Sequence, residues 1–228
     1  MTPTLPSATR RAALLGAALL GTGCAGGLLP KPAAAPARYT LGDASPAPPG
    51  GAPRPTPVGA PSIVVALPNA APGFDSTRMV YLRQPQALQA YAFAEWVDTP
   101  ARLLLPLLVQ ALQQTGAFRA VLQAPSSATG ALRLETELLR LQHDHTQSPS
   151  VVRLSLRALL LDTATRQPLA TREFDARVPA PSDSPAGCVA AAATATRQVL
   201  AELAAHAASL AGSAGLASGL ASGTRREP

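Results

Sequence analysis

Hydrophobic and polar residues alternate most regularly in the middle of the chain. Leu132, Leu134, Thr136 and Leu138 are interleaved with Arg133, Glu135 and Glu137, the two-residue period of a strand with one buried face. After Leu138 the phase flips to Leu139 and Leu141, which predicts a bulge. Val152, Leu154, Leu156 and Leu160 alternate likewise with Arg153, Ser155 and Arg157. Segments 131–142 and 151–161 therefore predict one antiparallel hairpin, with the even-numbered residues of its second strand buried and Ser155 facing water. Such a hairpin can set Arg153 and Arg157 across from Glu135 and Glu137, and its connection runs around His143-Asp144-His145-Thr146-Gln147-Ser148-Pro149. A third strand, Leu169 to Val178, follows the turn at 162–168.

Upstream, Ser62 to Leu67 is a β-branched run closed by Pro68 and reads as a strand. Residues 79–83 and 87–93 read as a strand pair joined by Gln84-Pro85-Gln86. A helix is predicted from Thr99 as N-cap and Pro100 at the first helical position, where the missing N–H costs nothing. Leu104, Leu108, Ala111, Leu112 and Thr115 share one of its faces, Gly116 ends it, and Pro106 predicts a kink or a later start. A second helix is predicted over 186–211, with Val189, Thr196, Leu200, Leu203, Ala207 and Leu210 on one face and Gln198 and Glu202 opposite. The sum is a single α+β domain, an antiparallel sheet of about 5–6 strands with two main helices packed on it.

Composition divides the 228 residues unevenly. The chain is 47% hydrophobic but only 4% aromatic and 14% charged, with 24 prolines and 17 glycines. The Leu/Val runs exclude disorder throughout. Charges interrupt every long apolar stretch, which excludes a polytopic membrane protein, and two cysteines are too few for a disulfide-stapled mini-domain. Residues 25–61 are too rich in Pro, Ala and Gly to bury apolar area and read as an extended tether. Within it, Arg38-Tyr39-Thr40-Leu41 is the one stretch able to dock as an edge strand. Residues 212–228 read as a frayed tail. The formal charge is +6, yet the arginines stand singly among Leu and Val with no aromatic interleaving, the pattern of solvated strand faces and not of a nucleic-acid surface.

The N-terminus carries an export pattern. Arg10-Arg11 precede the apolar run from Ala12 to Leu20, about half the length of a membrane span. Leu20-Gly21-Thr22-Gly23-Cys24 follows and resembles the bacterial lipobox, with Gly21 standing where leucine is preferred. The resemblance implies a signal peptide over 1–23 and lipidation of Cys24; an ordinary secretory signal is the alternative. The arginine pair fits general or twin-arginine export. Acyl chains on Cys24 would supply the membrane anchor, and Ala25 after it favours the outer membrane by resemblance to lipoprotein sorting. Cys188 reads as a small apolar helix residue.

No known catalytic motif stands out, and the chain is read as no enzyme, with no cofactor and no metal. His143-Asp144-His145 could hold a metal at the hairpin tip, but no third ligand is identifiable and a solvated loop is the simpler reading. Glu95 beside Trp96 is a single carboxylate without an acid/base partner. Tyr81, Tyr91, Phe93 and Trp96, with Phe74, are five of the chain's eight aromatic residues; they pack a core or form a contact surface for a partner or lipid, with Tyr81, Tyr91 and Trp96 the candidate contact residues.

The order of these features resembles the auxiliary lipoproteins of ABC-type transport systems, the PqiC-like group. The resemblance rests on the lipobox-like segment, Arg38-Tyr39-Thr40-Leu41, the Ile63-Val64-Val65 strand, and Met79-Val80-Tyr81-Leu82-Arg83 leading through Tyr91-Ala92-Phe93-Ala94-Glu95-Trp96-Val97 to Pro100 and Leu103-Leu104. It spans roughly residues 20–211, with the Pro-rich insert before Ile63 as a departure. It implies an auxiliary-lipoprotein domain over 62–211, anchored through Cys24 and the 24–61 tether and facing the periplasm. It further implies action by binding, beside an ATPase, a permease and a substrate-binding protein with an MCE domain, in moving lipids between inner and outer membranes. A homo-oligomer is open, and the alternative is a structural or assembly-factor outer-membrane lipoprotein with a TolB-like domain.

Overall fold

The computed structural model describes residues 35–42 and 56–223, with side chains described as far as residue 212. The signal segment, Cys24 and most of the Pro-rich tether lie outside the described residues. In chain order the elements are β1 (Ala37–Tyr39), β2 (Ser62–Val65), β3 (Asn69–Ala70), β4 (Arg78–Leu82), β5 (Leu88–Trp96) and α1 (Pro100–Gln114). They continue with β6 (Ala120–Gln123), β7 (Leu132–Asp144), β8 (Val151–Asp162), β9 (Pro168–Pro179) and α2 (Pro185–Gly223).

β7 is the spine. One edge pairs antiparallel with β8 along its whole length, and β8 pairs antiparallel with β9. The bulge is at Leu139, because Leu138 pairs with Leu156 while Arg140 pairs with Ser155. Burial follows the expected period: Val152, Leu154, Leu156 and Leu160 are buried, as are Leu132, Leu134 and Leu138 on β7. Ser155 is also buried, its hydroxyl donating to Asp175 Oδ1. Of the two expected cross-strand ion pairs one forms: Arg157 faces Glu137 at 2.9 Å, whereas Arg153 stands opposite Gln142 and Glu135 bonds Arg133 on its own strand.

The other edge of β7 corrects the expected antiparallel sheet of five or six strands. Three short strands, β2, β3 and β4, take successive stretches of that edge, all parallel to β7. β6 adds parallel to β2, β5 antiparallel to β4, and β1 parallel to β5, giving a mixed nine-stranded sheet. A parallel neighbour needs a crossover instead of a turn, so of these pairings only the antiparallel β4–β5 pair leaves a hairpin signature in the sequence, the turn at Gln84-Pro85-Gln86. β1 is the docked edge strand that the Tyr39 segment predicts, and Leu41 just beyond it is buried in the core.

Both helices contribute to one core with the sheet. α1 begins at Pro100 and runs through Pro106, whose side is exposed, so the inner proline does not delay its start. Thr99 holds the N-cap position without a side-chain cap bond; its own N–H donates to Asp98 Oδ1 at 2.7 Å. Leu104, Leu108, Ala111 and Leu112 are buried, and Gly116 leaves the helix at φ 66°, a left-handed turn that glycine adopts without cost. α2 packs on β8, β9 and α1 through Ala191, Ala195, Val199, Leu200, Leu203 and Ala207. It continues past 211 to Gly223, so the stretch expected to fray is helical as far as that residue. Its alanines let the helix backbone approach the sheet closely, which is why a core with few aromatics still closes.

Candidate polar cluster at the turn end of the hairpin

The end of β7 meets β4 and β5. In register Tyr81 stands beside His143, Leu82 beside Asp144, and Gln89 beside Tyr81. The phase flip at the bulge turns Leu141 and His143 toward the helices, and His143 lies opposite Val152 with no exposed surface. The solvated-loop reading of this segment is therefore corrected: β7 runs to Asp144, and His143 is a core residue.

Its hydrogen bonds have a fixed direction. Ser150 Oγ donates to Asp183 Oδ1 in the turn that leads into α2. With that proton committed, His143 Nε2 donates to Ser150 Oγ at 2.9 Å, leaving Nδ1 as an acceptor for the Tyr91 hydroxyl at 2.9 Å. Tyr91 Oη in turn accepts from His145 Nε2 at 3.1 Å. This ordering assigns the tautomer of both rings from the network. His145 Nδ1 lies 3.7 Å from Asp183 Oδ1, beyond hydrogen-bond distance, so the chain of bonds ends at His145. The two imidazoles stack with centroids 4.0 Å apart, and Tyr81 packs on Tyr91 at 4.7 Å and edge-on to His145 at 5.7 Å.

Burial, and then the neighbouring His145, push His143 down to about 4, so its ring is neutral at pH 7. Burial raises Tyr91 well above the ordinary phenol, with Cys188 and Tyr81 adding to it. The bond from Ser150 holds Asp183 below the usual carboxylate range. Cys188, buried behind the cluster as the small apolar residue the sequence indicates, is pushed up to about 12 by burial and is no thiolate.

This polarity limits the chemistry. An activated serine gives its proton to an imidazole; here the imidazole donates to the serine, and the serine donates to a carboxylate. His143, His145 and Asp183 are the group of three whose ligand atoms lie within 4.8 Å of one another among the described residues. Tetrahedral zinc requires donor atoms about 3.3 Å apart, and the Tyr91 hydroxyl sits bonded to both rings in the space between them. As arranged, the cluster joins β5, the hairpin and the turn before α2, and Ala180 N–H donates to Ser150 O at 2.8 Å in the same joint.

Acid should open that joint. The folded protein holds His143 neutral down to about pH 4, whereas the unfolded chain takes up this proton near pH 6.5. The unfolded state therefore binds more protons between these values. The contribution is complete above pH 6.5 and lost progressively as pH falls to 4, on the order of 3 kcal/mol at most. His143→Gln keeps a donor and an acceptor but does not titrate, so its urea midpoint should vary less with pH across this window than that of the unsubstituted protein. Parallel pH profiles would remove His143 as the cause.

A family model for the ABC-type transport auxiliary lipoprotein component matches residues 39–204, from β1 well into α2. The chain belongs to this family. A crystal structure of a Xanthomonas campestris protein is 26% identical with a TM-score of 0.64, covering 77% of this chain and 94% of that one. An uncharacterized protein of known structure shares the fold at 16% identity and a TM-score of 0.58, over 76% of this chain and 99% of that one. Among curated proteins none matches. Membership makes this an auxiliary lipoprotein of a transport system in the cell envelope, in a family that is not known for enzymes. Among the described residues no helix is long and apolar enough to cross a membrane.

Within this auxiliary lipoprotein the expected contact residues separate. Tyr81 and Tyr91 come together, half-buried, in the polar cluster. Trp96 is 2% exposed and belongs to the core, which corrects its reading as a contact residue. Phe93, three residues earlier, is 66% exposed, with Leu88 and Val97 also open. The pairing of β4 with β5 shifts between Arg78 and Val80, so that Tyr91 to Ala94 arch opposite Met79. The arch carries Phe93 outward while Ala94 and Trp96 return to the core. Cys24 lies outside the described residues. Sequence reasoning missed the His143–Ser150–Asp183 joint, and the signal for it was the flipped phase at Leu139 and Leu141, which carried two residues further places His143 inside.

Proposed function

We propose that this auxiliary lipoprotein is anchored by acyl chains on Cys24 in the outer membrane. From there its domain reaches into the periplasm and binds the MCE-domain substrate-binding component of an ABC lipid-transport system. The observation that carries the reading is the family match across residues 39–204, which runs from the last residue of β1 through the other eight strands and into α2. The tether gives reach: because β1 is docked in the sheet, about a dozen residues separate Cys24 from the domain, and a flexible segment of that length has an r.m.s. span of roughly 17–21 Å, which proline extends. Apolar side chains displayed at Leu88, Phe93 and Val97 suit a partner contact, since an exposed aromatic supplies much area at small entropic cost.

Cys24→Ser should move the protein from the membrane to the soluble periplasmic fraction and abolish acyl labelling. The full-length chain should crosslink to the MCE-type component, and Phe93→Asp should weaken that association about tenfold while leaving the melting temperature unchanged. Membrane retention with unchanged labelling in Cys24→Ser would reject the anchor. Absence of any crosslink to the transport components would reject the partner.

A further inference from the structure

The face of β7, β8 and β9 turned away from the helices carries its charges in rows. Glu137, Arg157 and Glu173 stand side by side in register, and Arg157 bonds the two carboxylates at 2.9 and 2.7 Å. The next row toward the turn of the β7–β8 hairpin is Arg140, Ser155 and Asp175. The row beyond is Gln142, Arg153 and Arg177. Arg153 and Arg177 are thus direct cross-strand neighbours, with Cβ atoms about 4.5–5.5 Å apart, an arrangement in which like charges destabilise a sheet. Arg140 lies diagonal to Arg153, so three guanidinium groups share one corner.

The negative charge nearby is already committed. Asp175 accepts the Ser155 hydroxyl and lies 3.6 Å from Arg177. Asp144 is turned to Thr146, accepting from its hydroxyl at 2.5 Å and its N–H at 3.0 Å. Among the described residues neither Arg140 nor Arg153 has an ion-pair partner. Arg153 Nε is buried without a hydrogen-bond partner, and an unmade bond at a charged donor costs more than at a neutral one. Burial first, and then Arg140 and Arg177, weaken the hold of Arg153 on its proton, and the opposing effect of Asp175 and Asp144 does not make up for them. The paired row around Arg157 shows what this face does where its charges are matched; in the Arg140–Arg153–Arg177 corner three guanidinium groups share the single ion pair that Asp175 makes with Arg177.

We propose that this corner is a binding site for a phosphoryl anion, whose oxygens accept from the guanidinium forks of Arg140 and Arg153 and offset the charge of Arg177. A phosphoryl group fits better than a carboxylate because it brings up to two charges and three acceptor oxygens to three convergent donors. A free phosphate or phosphomonoester and a lipid headgroup share this chemistry. The site does not depend on the transport role proposed above.

The test uses the full chain carrying Cys24→Ser, so that no acyl group binds lipid. Its melting temperature is compared in inorganic phosphate and in chloride at matched ionic strength and neutral pH. Phosphate should raise it by a few degrees. Arg153→Gln and Arg140→Gln should abolish the rise, and Arg157→Gln, in the matched row, should retain it. Flotation with vesicles of phosphatidic acid, a phosphomonoester headgroup, in phosphatidylcholine, against phosphatidylcholine alone, separates the sources. At least tenfold preference for the anionic vesicles, lost in Arg153→Gln, identifies a headgroup site. Phosphate stabilisation without vesicle preference identifies a small phosphorylated ligand. If the chain with its arginines intact shows neither response, the proposal falls whether or not the variants fold. It falls equally if the Arg140→Gln, Arg153→Gln double variant keeps the full response.

Discussion

Leu156→Asp is expected to leave the domain without a cooperative unfolding transition. Leu156 is 1% exposed and stands between Leu138 on β7 and Phe174 on β9, both equally buried. Replacing it removes packing worth about 2–5 kcal/mol. It also places a carboxyl group among apolar side chains, at a further cost of several kcal/mol whether it ionises or takes up a proton. The sum is of the order of a whole domain's stability, about 5–15 kcal/mol. The matching control is Thr171→Asp, an exposed position on β9, where the change should stay within about 1 kcal/mol. Ser155 would be a misleading control. Its hydroxyl bonds Asp175, so Ser155→Asp would press two carboxylates together and lose about 1–3 kcal/mol. Urea denaturation followed by circular dichroism separates the three. Equal midpoints for Leu156→Asp and Thr171→Asp would mean that the register of β8 is not the one described.

The parts of the fold legible in the sequence are those fixed by neighbours along the chain. Period-two alternation located β7 and β8, the turn at 162–168 located the start of β9, and the phase flip located the bulge at Leu139. Thr99-Pro100 and Gly116 bracketed α1 because cap and turn chemistry acts over a few residues. The pairings of β2, β3 and β4 with β7 were not legible. Each takes only a few residues of the same β7 edge, in parallel, and which stretch it takes is set by the crossovers and not by local pattern. The site suffered in the same way. His143-Asp144-His145 was visible as a polar triplet, but Asp183 lies far along the chain and Tyr91 on another strand. What turns a loop-like triplet into a buried joint is the parallel pairing of Tyr81 with His143. The charged corner had a similar history: Arg140, Arg153 and Arg177 look like three ordinary solvent-facing arginines until two registers place them together.

Trp96→Ala should cost about 3–5 kcal/mol, the range for removing a buried large aromatic, and this outcome decides between two roles for the aromatic stretch. Ala94 and Trp96 are buried where Phe93 is open, because the arch in β5 restores inward parity before the strand ends. Backbone bonds pin both sides of the indole: Trp96 N–H donates to Thr77 O at 2.8 Å, and Val97 N–H donates to Tyr39 O at 2.7 Å across to β1. The indole thus lies where β1, β4 and β5 join, and its loss should loosen the edge strand together with the core beneath it. Trp96→Phe, which keeps most of the apolar volume, should recover much of the stability. Thermal melts of both variants, read beside partner crosslinking, test the assignment. The expected pattern is a strongly lowered melting temperature for Trp96→Ala, with crosslinking intact at temperatures where the variant remains folded. A variant that melts within about 1 kcal/mol of the parent protein yet loses its partner would return the indole to the contact surface, and Phe93 would no longer be the residue that marks it.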